Sequence, residues 1–133
     1  MNIYKKLFMD RMDSENVKYT DTDENALKIV FNGENLSTIP VHAIFDEDGD
    51  VQFRCWNIAN FKDKMPAGLV ACNKLNTKYR WMKFYIDKDY DLIAAIDTTA
   101  IQENTGDVCM VTLSRMISII DDSYPIFMKA LWS

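Results

Sequence analysis

The chain has 133 residues, 48% of them hydrophobic and 26% charged, which predicts a single domain, residues 1–133, with a substantial core and no low-complexity segment. Lys and Arg total 15 against 20 Asp and Glu, a net charge of −5. Nucleic acid and anionic membrane surfaces are therefore poor partners, and a basic or amphipathic protein segment suits the balance better. Three cysteines, Cys55, Cys72 and Cys109, lack CxxC spacing; this argues against a disulfide scaffold or zinc ribbon and for a reducing, cytoplasmic setting. The N-terminus has no apolar run of signal-peptide length, and no run approaches the roughly 20 residues of a membrane span.

In chain order, Tyr4, Leu7, Phe8 and Met12 form one stripe of a short amphipathic helix over residues 2–13. Asp21-Thr22-Asp23-Glu24-Asn25 reads as a polar turn. Leu27, Ile29 and Phe31 alternate with Lys28 and Val30, which predicts a strand, and Asn32-Gly33 then signals a turn. Strands are expected over 39–45 and 51–58, joined by the acidic hairpin loop Asp46-Glu47-Asp48-Gly49-Asp50. Met65, Leu69, Cys72 and Leu75 are helically spaced, with Asp63 as N-cap and Pro66 in the first turn. Two more strands, 81–86 and 90–96, follow across Asp87-Lys88-Asp89. A long closing helix starts near Asp107, and Pro125 should kink or restart it, with Ser123 able to cap the second piece. The order α-β-β-β-α-β-β-α groups strands apart from helices and indicates α+β.

Alternation divides the sheet into two faces. Met82, Phe84, Ile86, Leu92, Ala94 and Ile96, with Val51, Phe53, Cys55, Leu27, Ile29 and Phe31, form an apolar face for the helices to cover. The opposite face mixes large rings with basic stems: Trp81, Lys83 and Tyr85 beside Gln52, Arg54 and Trp56, with His42 and Ile44 near them. Such residues suit an interface, and equally a half-exposed sheet whose rings cover their neighbours. The closing helix carries Val108, Val111, Ile119, Ile126 and Trp132 beyond its main stripe. That second side predicts contact with a partner or a second copy, or else burial within one core.

Reaction chemistry is not visible. His42 is the one histidine and lies in an apolar strand; a Cys/His nucleophilic pair is arithmetically open, but buried thiols are usually inert packing. The acidic hairpin fails the EF-hand pattern, since its Gly comes too early and no Glu stands at the twelfth position. Phosphate loops, GxGxxG, GxSxG and HExxH are missing. No cofactor or metal is expected.

Four stretches together resemble the YbjN family, the bacterial sensory transduction regulator domain. They are Ile44-Phe45-Asp46-Glu47-Asp48-Gly49-Asp50, Asn73-Lys74-Leu75-Asn76, Lys83-Phe84-Tyr85-Ile86-Asp87, and Arg115-Met116 through Ser123-Tyr124-Pro125 to Ala130-Leu131-Trp132. The likeness covers about residues 15–132. It implies a five-stranded antiparallel sheet with flanking helices, a fold like that of type III secretion chaperones, and no known enzymatic activity. It also implies a cytoplasmic binding or regulatory role, with a homodimer as one form. The resulting expectation is a non-enzymatic, chaperone- or adaptor-like module. It would bind a protein segment through Arg54, Trp56, Trp81, Lys83 and Tyr85 on the sheet or Ile119, Ile126 and Trp132 on the last helix. A structural homodimer and a small Cys/His enzyme are the alternatives.

Overall fold

A computed structural model describes all residues, Met1–Ser133. Helix α1 spans Ile3–Ser14; four strands follow, β1 (Thr20–Asp23), β2 (Ala26–Phe31), β3 (Ile39–Phe45) and β4 (Asp50–Cys55). Helix α2 (Met65–Lys78), strands β5 (Lys83–Ile86) and β6 (Leu92–Thr99), a 3-10 turn (Gln102–Asn104) and helix α3 (Thr105–Trp132) complete the chain. The strands form one antiparallel sheet in the order β1-β2-β3-β4-β6-β5.

The sheet thus has six strands where five were expected, and four of them precede α2. The extra strand is β1, Thr-Asp-Thr-Asp, every residue of it exposed. Its composition is that of a turn, so propensity and alternation both fail to mark it. A tertiary contact holds it instead. The fully buried Lys5 of α1 donates from Nζ to Asp21 Oδ1 at 2.6 Å and to the Asp23 carbonyl. Burying a lysine is costly unless its charge is paired, and here that pairing fastens the edge strand to the helix.

The inward face follows the alternation. Leu27, Ile29, Val41, Ala43, Val51, Phe53, Cys55, Phe84, Leu92, Ala94 and Ile96 join the buried cluster, while Phe31 and Ile86 are partly covered against it. All three helices lie on this side. Phe8 of α1 packs its ring on Phe45 and Phe53; Phe127 of α3 meets Phe84 and Phe61. Gly68 of α2 sits so close to Phe61 and Ile86 that a Cβ there would lie 2.7 Å from the Phe61 ring. On α2 the buried line is Gly68, Ala71, Cys72 and Leu75, leaving Leu69 exposed although its spacing placed it inside. Asn2, not foreseen as a cap, accepts from Tyr4 and Lys5 N–H at 2.8 and 3.2 Å and opens α1.

Helix α3 runs without interruption through Pro125; the expected restart does not occur. Proline lacks the N–H that would serve the carbonyl of Asp121. That carbonyl accepts from Asn35 Nδ2 instead, at 3.1 Å. The Asp121 carboxylate in turn receives the backbone N–H groups of Leu36, Asn35 and Glu34 at 2.9–3.1 Å, and these bonds hold its pKa below the usual carboxylate range. The β2–β3 loop therefore repairs the helix, and Ser123 caps nothing: its Oγ is buried without a partner. The helix begins at Thr105, so Asp107 stands in its first turn and pairs with Arg11, while Lys64, not Asp63, is the residue preceding α2.

Candidate functional site

With the helices on one side, the other side of the sheet is open. Register places its side chains in rows that cross the strands. Lys28 stands opposite His42, His42 opposite Arg54, Arg54 opposite Ala95, and Ala95 opposite Lys83. One row therefore reads Lys28–His42–Arg54–Ala95–Lys83. Two residues along, Val30 pairs with Pro40 at one end and Ile93 with Tyr85 at the other. Trp56, just past the end of β4, lies between these pairs and stacks on His42 with ring centroids 4.5 Å apart. Ala95 and Ile93 point to this face yet are buried, because the long neighbouring side chains arch over them.

Arg54 and Lys83 are held rather than loose. Arg54 donates from Nη1 to Asp97 Oδ1 at 2.6 Å and to the Phe53 carbonyl at 2.9 Å. Lys83 Nζ lies 5.6 Å from the centre of the Tyr85 ring, in cation–π range. Burial, then the nearby Lys28 charge, pushes the His42 imidazole below its ordinary pKa, which keeps the stacked ring neutral.

The structure brings together Arg54, Trp56, Lys83 and Tyr85 of the sequence-derived set, with Trp81 at the β5 end. Trp56 is 39%, Tyr85 36% and Trp81 70% exposed. Trp81 is not in a strand, as alternation had it. It precedes β5 at φ 70°, in a three-residue turn closed by Met82 N–H to the Arg80 carbonyl at 2.7 Å. A bulky residue in a γ-turn of this hand is strained, and the turn drives the indole outward beside Lys83, Ala95 and Asp97. Likewise β4 ends at Cys55, not 58, and β6 begins at Leu92, not 90.

The helical part of the set does not join this face. Ile119 is 7% exposed and belongs to the core, and Ile126 packs against that core. Helix α3 lies on the sheet and contacts both α1 and α2, so apolar residues on two of its sides serve one interior. Trp132 remains exposed at its end.

The Cys/His arrangement does not form. Cys55 points inward while its strand neighbours Arg54 and Trp56 stand with His42 outside, and Cys72 and Cys109 lie in the core under the helices. Burial pushes the Cys55 and Cys109 thiols up to about 12 and Cys72 to about 11, so none offers a thiolate near neutral pH. In the acidic hairpin, carboxylate oxygens of Asp46, Asp48 and Asp50 come within 4.8 Å of one another, all exposed. Asp48 accepts from Asp50 N–H, and Asp50 accepts from Thr99 Oγ1, which is turn chemistry.

Comparison with known proteins fits this architecture. Residues 12–127 match the model of the YbjN family, described as "Putative bacterial sensory transduction regulator". The chain belongs to the YbjN family. Among solved structures, YbjN from E. coli is similar at TM-score 0.67 and 12% identity, over 93% of this chain and 89% of that one. A chain of the ExoU–SpcU heterodimer from the type III secretion system of Pseudomonas aeruginosa gives TM-score 0.59 at 9% identity, covering 92% and 96%. The Yersinia pestis type III secretion chaperone SycH, in complex with a fragment of YscM2, gives 0.51 at 10%, covering 87% and 98%. At these identities the likeness is one of fold: α+β, with an antiparallel sheet and helices, as in the secretion chaperones. No curated protein matches. No helix of this YbjN-family chain is long and apolar enough to cross a membrane.

Two residues escaped the reading of the sequence. Lys28 alternates with Leu27 and Ile29, so period 2 already put it outside. Asn76 belongs to a stretch that carries the YbjN likeness, and its role is now physical. Its amide donates to the Phe84 carbonyl at 2.9 Å and accepts from Phe84 N–H at 2.7 Å. It thereby acts as a one-residue neighbour for the free edge of β5.

Proposed function

We propose that this YbjN-family chain is a non-enzymatic protein-binding module of chaperone or adaptor type, working in the cytoplasm, and that the open sheet face is where a protein segment docks. The observation behind this reading is the Trp56/Tyr85/Trp81 group. Three amphipathic rings and two fixed cations line a sheet face that no helix covers, and one ring is held out by a strained turn. Exposed aromatics of this kind supply much of the binding energy at interfaces. Strain in the backbone is kept where surrounding structure enforces it and function uses it. The complexes in which the secretion-chaperone relatives of this fold are found support a partner of protein class. The cysteines and His42, lying on opposite sides of the sheet, favour binding over catalysis.

Affinity capture from native lysate with the wild type and a Trp56→Ala/Trp81→Ala variant, side by side, tests the reading. Trp81 is largely solvent-facing and Trp56 gives up its stack on His42, so the variant should unfold within about 2 kcal/mol of the parent, still folded, and lose the captured protein. Identical capture by both forms would reject this face. A second reading, a homodimer through the helical layer, draws on exposed Leu69, Val70, Val111 and Trp132. Sedimentation of a strict monomer at high concentration would end it.

A further inference from the structure

We propose that the occupant of the open face is an acidic amphipathic protein segment lying across the strands, its carboxylates over the Lys28–His42–Arg54–Lys83 row and its apolar side chains over the Val30–Trp56–Tyr85 row. This deepens the protein-binding reading and rests on it. The chain as a whole carries −5, and net charge alone favours a basic partner. Local charge has the opposite sign. Within the two rows Lys28, Arg54 and Lys83 meet no carboxylate; Asp97, one row over and opposite Gln52, is already paired with Arg54.

The geometry defines the segment. Adjacent strands lie about 4.8 Å apart, so Lys28 and Lys83, four strand steps apart, are separated by about 19 Å. About 13 residues of helix cover that distance at about 1.5 Å each. Same-face rows are two residues, or about 7 Å, apart along a strand, close to the separation of adjacent stripes on a helix. The cationic row also contains its own floor, since Ala95 offers a small, buried step between Arg54 and Lys83. On the side away from the aromatic row, Asp46, Asp48 and Asp50 crowd the hairpin end. Those carboxylates repel an acidic ligand from that end, as Asp87 and Asp91, paired one row beyond Tyr85 and Ile93, do from the other, which confines it to the two rows between. Lys and Arg rows paired with aromatics can also bind single-stranded nucleic acid, but the acidic bulk of this chain opposes a polyanion at long range.

The test is fluorescence anisotropy of three labelled probes with the full chain: a fourteen-residue peptide with Glu and Leu on adjacent helical stripes, its Lys/Leu counterpart, and a single-stranded oligonucleotide of equal length. The Glu/Leu peptide should bind best. Its affinity should fall by about tenfold or more in Lys28→Glu/Lys83→Glu, and less in Lys28→Gln/Lys83→Gln, which guards against a folding defect in the reversed variant. It should fall also in Trp56→Ala. Tighter binding of the Lys/Leu peptide, lost in Trp56→Ala, overturns the acidic assignment and leaves the face as a protein site. Preference for the oligonucleotide, or Glu/Leu binding unmoved by the lysine variants, overturns the proposal. So does failure of the Glu/Leu peptide to bind a protein whose lysate capture still depends on Trp56 and Trp81.

Discussion

Asn76→Ala should loosen the edge that carries Lys83 and Tyr85. Asn76 makes two hydrogen bonds to the backbone of Phe84, whose side chain is buried in the core. Each such bond is worth about 1 kcal/mol net, and stranding a buried backbone group costs more. Water can reach part of this edge, so the sum is about 2 kcal/mol rather than the full penalty. With a urea slope of about 1–3 kcal/mol/M for a domain of this size, the midpoint followed by tryptophan fluorescence should drop by about 1 M with its slope unchanged. Asn76→Asp separates the two bonds. Its carboxylate still accepts from Phe84 N–H but faces the Phe84 carbonyl oxygen, lone pair against lone pair. That raises its folded pKa above the unfolded value of about 3.9. A raised pKa contributes stability below the unfolded value, and the contribution is lost as pH rises through the folded one. The Asp variant should therefore gain on the Ala variant as pH falls toward 4, where the protonated acid donates to the carbonyl. An Ala variant within about 0.5 kcal/mol of the parent, or an Asp variant that tracks Ala at every pH, would refute the edge-neighbour role.

Three further outcomes are expected. Gly68→Ala should destabilise by about 1–3 kcal/mol, because a Cβ at 2.7 Å from the Phe61 ring overpacks the α2–core contact and outweighs the roughly 1 kcal/mol of helix propensity gained; thermal unfolding decides the sign. All three cysteines should resist a thiol reagent at pH 8 in the native protein and react together on unfolding, given thiols pushed to about 11 to 12; stoichiometric native labelling would contradict the buried placement. His42, with its folded pKa lowered, contributes stability present above its unfolded pKa of about 6.5 and lost as pH falls through the folded value; His42→Gln should flatten the stability profile over that window, measured by denaturant titrations between pH 5 and 8.

The sequence made the apolar underside legible. Leu27, Ile29, Val51, Phe53, Phe84, Leu92, Ala94 and Ile96 obey a period of 2, and the burial of one face enforces it. It also separated that underside from the face of Arg54, Trp56, Lys83 and Tyr85. What escaped depends on partners distant in the chain. Thr20–Asp23 becomes a strand because Lys5 reaches it. Pro125 passes through a continuous helix because Asn35 serves the stranded carbonyl. Trp81 leaves the strand because its backbone is turned at positive φ, which residue type argues against. The cationic row escaped because a net charge says nothing of where charges sit, and only register aligns Lys28 with Lys83 four strands away.

Both margins of the sheet are stoppered, one by a short all-polar strand tethered through Lys5, the other by the amide of Asn76. Unpaired strand borders invite chains to polymerise border to border. With those routes shut, the exposed broadside can carry bare rings and cations without turning the protein into a fibre.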